Sequence, residues 1–161
     1  MKIRKNKEII IVLPDIRSSL NVGSIFRTAD ACGVNKIYLA GYTPAPVDRF
    51  GRADKQIAKT ALGAEKTLAW EKVEDVSKIL SKLKKTGFYI VGVEQAENSM
   101  DYKKVRVQVK TAFIFGNEVD GLPKNILKKC DVIAEISMEG EKESLNVSVS
   151  VGVALFRILD I

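Results

Sequence analysis

The chain has 161 residues, 46% apolar and 29% charged, a size and balance that suit one globular domain with a substantial core. Lys and Arg outnumber Asp and Glu by 26 to 20, and the net charge of +6 favours a polyanionic partner. The chain has no histidine, which excludes imidazole bases, Ser-His-Asp triads and histidine-based metal sites.

In chain order, apolar runs alternate with helical patterns. MKIRKNKE leads into IIIVLP, a run too short for a signal peptide, and 8–14 reads as a first strand. A helix over 21–33 follows, closed by Gly33, then a strand over 35–41. The loop YTPAPVDRFGRADK leads to a short helix around 56–63 and a weak strand over 66–71. Residues 73–87 form an amphipathic helix, and 88–94 and 111–116 are apolar runs suited to a parallel sheet buried on both faces. A helix over 122–130 and a strand over 131–138 complete the alternation, which predicts an α/β fold with helices sandwiching a mostly parallel sheet.

No apolar run approaches the roughly 18 residues that span a bilayer. Cys32 and Cys130 stand in no C-x-x-C arrangement and read as two buried thiols in a reducing cytoplasm. The runs Lys82/Lys84/Lys85 and Lys103/Lys104/Arg106 read as solvated faces. Neither G-x-G-x-x-G nor the P-loop pattern occurs, so a Rossmann-type nucleotide oxidoreductase lacks its fingerprint.

Three polar clusters carry the chemistry. Asn21-Val-Gly-Ser-Ile-Phe-Arg27 opens the first helix, with Asn21 at the expected N-cap and Asn21, Ser24 and Arg27 forming one ridge. The same residues also read as a capped helix with an exposed arginine. Phe115-Gly-Asn-Glu118-Val-Asp-Gly-Leu-Pro123 joins a buried strand to a helix and places Glu118 towards a crevice, or else is a tight turn with a solvated acid. Ser144-Leu-Asn-Val-Ser148 precedes an apolar tail that fits a strand by its period of two and a helix by its spacing of three and four. Pattern alone leaves both open.

Together, in this order and at these separations, the clusters closely resemble the SpoU/TrmH class of the SPOUT methyltransferase superfamily. KTALGAEKTLAWE and VGVEQAENS also look like family sequence, and the resemblance covers residues 8 to 159. It implies a single SPOUT domain over 1–161 without a separate N-terminal RNA-binding domain, closed by a C-terminal trefoil knot. It makes the last segment a helix with a polar entrance. The implied reaction is methyl transfer from S-adenosylmethionine to a ribose 2′-hydroxyl in tRNA or rRNA, in the cytoplasm, by a homodimer that uses no metal.

By the same resemblance, Val93, Gly116, Ile136, Leu145 and Ser144 form the cofactor pocket. Asn21, Arg27, Glu118, Ser144 and Asn146 form the catalytic set. Arg27 is the family's acceptor for the hydroxyl proton, but a guanidinium is a poor base in water. The alternative is that it stays charged and stabilises a developing alkoxide, with Glu118 orienting it. Arg17, Arg49 and Arg52 are the expected RNA contacts. Ser137 departs from the Ile-Pro-Met of many relatives, which bears on the stiffness of its loop. A protein that kept the fold to bind RNA or assist assembly, without catalysis, is the competing reading.

Overall fold

The computed structural model describes residues 6–161. Among these residues seven strands form one sheet: β1 (Glu8–Pro14), β2 (Lys36–Ala40), β3 (Ala69–Val73), β4 (Tyr89–Val93), β5 (Met100–Asp101), β6 (Lys110–Phe115) and β7 (Val132–Glu135). Their order is β3-β2-β1-β6-β4-β7-β5, and every pairing is parallel. β1 lies inside the sheet, pairing Ile10 with Lys36 on one side and Glu8 with Lys110 on the other. The direction of strand progression reverses between β1 and β6, the kind of switch point where open parallel sheets form crevices.

Among the described residues six helices cover the two faces: α1 (Ser19–Ala31), α2 (Lys55–Ala61), α3 (Ala64–Thr67), α4 (Val76–Lys85), α5 (Lys124–Leu127) and α6 (Val147–Ile158). The pleat of β1 sorts its side chains between them. Ile9, Ile11 and Leu13 pack with α1, α2, α3 and α6, while Ile10 and Val12 pack with α4 and α5. The central strands therefore read as unbroken apolar runs, because both of their faces are buried. Among the described residues, no helix is long and apolar enough to cross a membrane.

Several boundaries differ from the sequence reading. Ser18, not Asn21, caps α1, its hydroxyl accepting the Asn21 N–H at 3.2 Å. Asn21 becomes the third helical residue, and its amide is free to act elsewhere. Residues 66–71 divide between α3 and β3, because the Glu65 carboxylate takes the Gly63 N–H at 2.9 Å and winds one helical turn. The 131–138 strand stops at Glu135, and β5 with its 3-10 turn (Tyr102–Lys104) carried no apolar signal.

The terminal segment is a helix. Asn146 caps α6, its side-chain oxygen accepting from the Ser148 N–H at 2.9 Å and the Ser148 hydroxyl at 2.6 Å. Val151, Ala154, Leu155 and Ile158 are buried, and α6 lies beside α1. Gly152 is not a close-packing point: a Cβ there would meet only Thr28, at an ordinary 3.8 Å. The tight crossing is at Gly23, where a Cβ would fall 2.4 Å from the Ile57 carbonyl oxygen of α2.

Candidate active site

Three strands end at one place. The segments after β4, β6 and β7, with the approach to α6, enclose a cavity of about 300 Å³. Val93, Gly116, Ile136, Ser144 and Leu145, the five residues expected around a cofactor, all line it. Glu94, which the sequence reading passed over, shapes one wall. Its carboxylate accepts the N–H of Leu122 and of Gln95, each at 2.9 Å, and so holds the loop after β6 against the end of β4. Cβ atoms at Gly116 or Gly121 would come within 2.8 and 2.4 Å of that carboxylate, so glycine is required at both. The signal available beforehand was an acid directly after a buried strand, close in space to a glycine-bracketed loop. Asn117 folds the loop locally by accepting the N–H groups of Val119 and Asp120. Gln95 ties the last crossing segment to β4 by donating to the Glu143 carbonyl at 2.6 Å.

A chain of amides joins the three clusters. The Asn21 side-chain amide donates to Glu118 Oε1 at 3.0 Å, and the Asn146 amide donates to Asn21 Oδ1 at 3.2 Å. The Arg17 N–H reaches Glu118 Oε2 at 3.4 Å. Burial pushes the Glu118 carboxyl up, but hydrogen bonds from the Asn21 amide and from the N–H groups of Glu118, Arg17 and Ser18 outweigh it. The group therefore sits below its ordinary 4.5. A carboxyl lowered on folding stabilises the fold fully above that ordinary value, and the benefit is lost as pH falls through the folded value. Glu118→Gln should thus be less stable than the parent at neutral pH. The difference, read by urea unfolding, should close on acidification; a pH-independent difference would contradict this assignment.

Arg27 does not join this network. Six residues along a helix turn it about 120° from Asn21, so the expected single ridge splits. Among the described residues Arg27 forms no ion pair with Glu118. It lines a separate shallow groove with Ser24, Thr28 and Phe156. Ser144 precedes α6 and lies at the cavity mouth, outside the first helical turn. Of the expected RNA contacts, Arg17 sits beside Glu118, whereas Arg49 and Arg52 lie on the loop between β2 and α2.

Comparison with known proteins places this geometry. The model of the SpoU rRNA Methylase family matches residues 8–156. The 23S rRNA (guanosine-2′-O-)-methyltransferase RlmB of Neisseria meningitidis serogroup B is 33% identical over 147 residues, 91% of this chain and 56% of that one. Among solved structures, an AdoMet-bound rRNA methyltransferase from Sinorhizobium meliloti superposes with a TM-score of 0.87 at 25% identity, covering 98% of this chain and 57% of that one. A TrmH/SpoU tRNA modifying enzyme of A. aeolicus gives 0.84 at 27% identity, covering 98% and 76%. The chain spans about three fifths of the length of the curated relatives it matches. With its parallel α/β sheet, its ordered polar clusters and a match over nearly its whole length, the chain belongs to the SpoU rRNA Methylase family, the SpoU/TrmH class of RNA methyltransferases.

Proposed function

We propose that the protein transfers a methyl group from S-adenosylmethionine to a ribose 2′-hydroxyl of tRNA or rRNA, in the cytoplasm, as a homodimer. The observation that carries this reading is the Glu118–Asn21–Asn146 hydrogen-bond chain on the rim of a cavity built from three strand ends. The cavity suits the cofactor chemically. Val93, Phe115, Ile136 and Leu145 offer apolar contact to an adenine, while Glu94, Glu118 and Asp120 supply negative charge for a cation. Bound S-adenosylmethionine supplies an electrophilic methyl carried on a sulfonium, so the chain needs no metal to activate it. Val93, Gly116, Ile136, Leu145 and Ser144 would hold the cofactor. We further read the crossing of 136–146 over the ends of β4 and β6, tied down by Gln95, as the threading segment of a trefoil knot.

The remaining tasks are to place the ribose and manage its proton. Asn21 and Asn146 are fixed by their mutual hydrogen bond and would position the sugar, with Glu118 as their ionised anchor. Arg27 would stabilise the developing alkoxide as a fixed cation. It stands on a different face from Glu118, beside an apolar surface where Leu20, Val149 and Phe156 are each about two-fifths to one-half exposed. Covering that α1/α6 face with a second copy would bury it. We read the active site as composite, with Arg27 of one subunit serving the cavity of its partner.

Labelled S-adenosylmethionine incubated with total tRNA and rRNA tests the chemistry, followed by nuclease mapping of the label. We expect label on a ribose 2′-oxygen and saturable cofactor binding by calorimetry. Label on a base would overturn the assigned chemistry. RNA binding without cofactor binding would favour the non-catalytic alternative.

A further inference from the structure

A second concavity lies beyond Glu118, at the ends of β2 and β3. This groove, of about 830 Å³, is lined by Tyr42, Pro44, Arg49, Arg52, Trp70 and Lys72. Its walls are aromatic and its rim is cationic. Tyr42 is 56% exposed, and Phe50, in the same loop between the lining arginines Arg49 and Arg52, is 67% exposed. The Arg49 and Arg52 guanidinium carbons stand 4.7 and 5.1 Å from the Phe50 ring centre. Phe50 belongs to neither core cluster, and its ring meets the two arginines instead of the core.

The groove is built in advance of any ligand. Asp48 Oδ1 accepts the N–H of Phe50 and of Arg52 at 2.8 and 3.0 Å, and its other oxygen takes Arg52 Nε at 2.8 Å. Asp54 closes the base of the loop, donating its N–H to the Pro46 carbonyl and capping α2. On the far wall, Asp15 accepts the Tyr42 N–H at 3.1 Å, and buried Thr43 donates to the Leu13 carbonyl at 2.7 Å. Lys72 donates to the carbonyls of Gly41 and Thr43, so its ammonium holds the turn in place. The carboxylates of Asp48 and Asp54 are thus engaged, and among the described residues Arg49 is in no ion pair.

Arg17 links this groove to the cavity. Its backbone N–H is on Glu118, and its side chain lies near enough to Tyr42 for the two to interact. A chain that presents a ribose at Glu118 would therefore run past Arg17 towards Tyr42.

We propose that the groove holds an unpaired nucleotide of the RNA substrate, next to the methylated one, with its base stacked on Tyr42, Trp70 or Phe50 and its phosphate at Arg49. The proposal rests on the RNA methyltransferase reading above and adds to it a subsite for the nucleotide beside the methylated one. A duplex offers phosphates but buries its base faces, so it would use the arginines and leave the aromatic rings idle.

The test uses a short fluorescein-labelled RNA, single-stranded or annealed to its complement, read by anisotropy. The proteins are the wild type, Phe50→Ala, Tyr42→Leu and Arg49→Gln, each also titrated with S-adenosylmethionine as a check that the cavity is intact. We expect the wild type to prefer the single strand. Each aromatic variant should bind it about tenfold or more weakly, with duplex affinity and cofactor binding unchanged. Arg49→Gln should weaken both RNAs and reduce the slope of log affinity against log salt by about 0.7 to 0.9. If Tyr42→Leu fails to bind the cofactor, Phe50→Ala, at an exposed position, carries the test. Aromatic variants that match a wild type active on RNA would overturn the groove alone. A wild type that methylates no RNA would overturn the functional reading, and the groove with it.

Discussion

Arg27→Ala should lower RNA methylation by about 10²- to 10⁴-fold, the range set by loss of one positioned catalytic group. Cofactor binding should stay within about twofold, because Arg27 lies outside the cavity that Val93, Gly116 and Leu145 line. Loss of both in equal measure would refute the assignment. Mixing subunits goes further. In a composite site, a dimer of one Arg27→Ala and one Glu118→Gln subunit has one intact site, formed by the good acid of the first and the good arginine of the second. Its other site carries both defects. Random reassortment of the two inactive proteins should then restore about a quarter of wild-type turnover. A mixture as inactive as its parents would show that Arg27 serves its own subunit. Among the described residues Glu118 and Arg27 form no hydrogen bond or ion pair with each other, and this experiment turns that separation into a measurable quantity.

Gly23→Ala should destabilise the fold. Alanine favours a helix interior over glycine by about 1 kcal/mol, so α1 alone would gain. The added carbon, however, falls 2.1 Å from Thr60 Oγ1 and 2.4 Å from the Ile57 carbonyl oxygen. The threonine can rotate; the α2 carbonyl cannot. Overpacking against rigid backbone costs about 1–3 kcal/mol and occasionally more, and here it should exceed the helix gain by about 2 kcal/mol. For a chain of this length that lowers Tm by roughly 4–8 °C. Because α1 carries Asn21, activity should fall as well. An unchanged or raised Tm would mean that α1 and α2 do not cross as closely as described.

What could be read beforehand follows from what each feature depends on. The central strands were legible because IIIVL and AFIF are buried on both faces and need no partner to reveal their state. Residues 100–101 and 136–146 were not, since their backbone geometry is imposed by neighbouring strands rather than by their own apolar content. The cap of α1 was misplaced because Ser18 and Asn21 are both good capping residues, and only tertiary structure sets Asn21 against Glu118. The cavity was legible through its ordered motifs, and all five expected cofactor residues line it. Glu94 was missed because its partners, the Leu122 N–H and two glycines, lie more than twenty residues away. Arg27 was placed on the right helix but assigned a neighbour on another face, since stepping by three drifts around the axis by about 60° each time.

The interior position of β1, paired on both edges, sets a problem for synthesis. Its pairing with β2 becomes available within a few tens of residues, but its other edge waits for Lys110 and the residues after it. At roughly 5–20 residues per second, an unpaired apolar strand edge persists on the nascent chain for roughly 5–20 s. During that interval the edge is a template for any extended segment nearby. Production of this protein is therefore most vulnerable before the ribosome has finished, and shielding the emerging N-terminal half should raise its soluble yield more than any treatment of the completed chain.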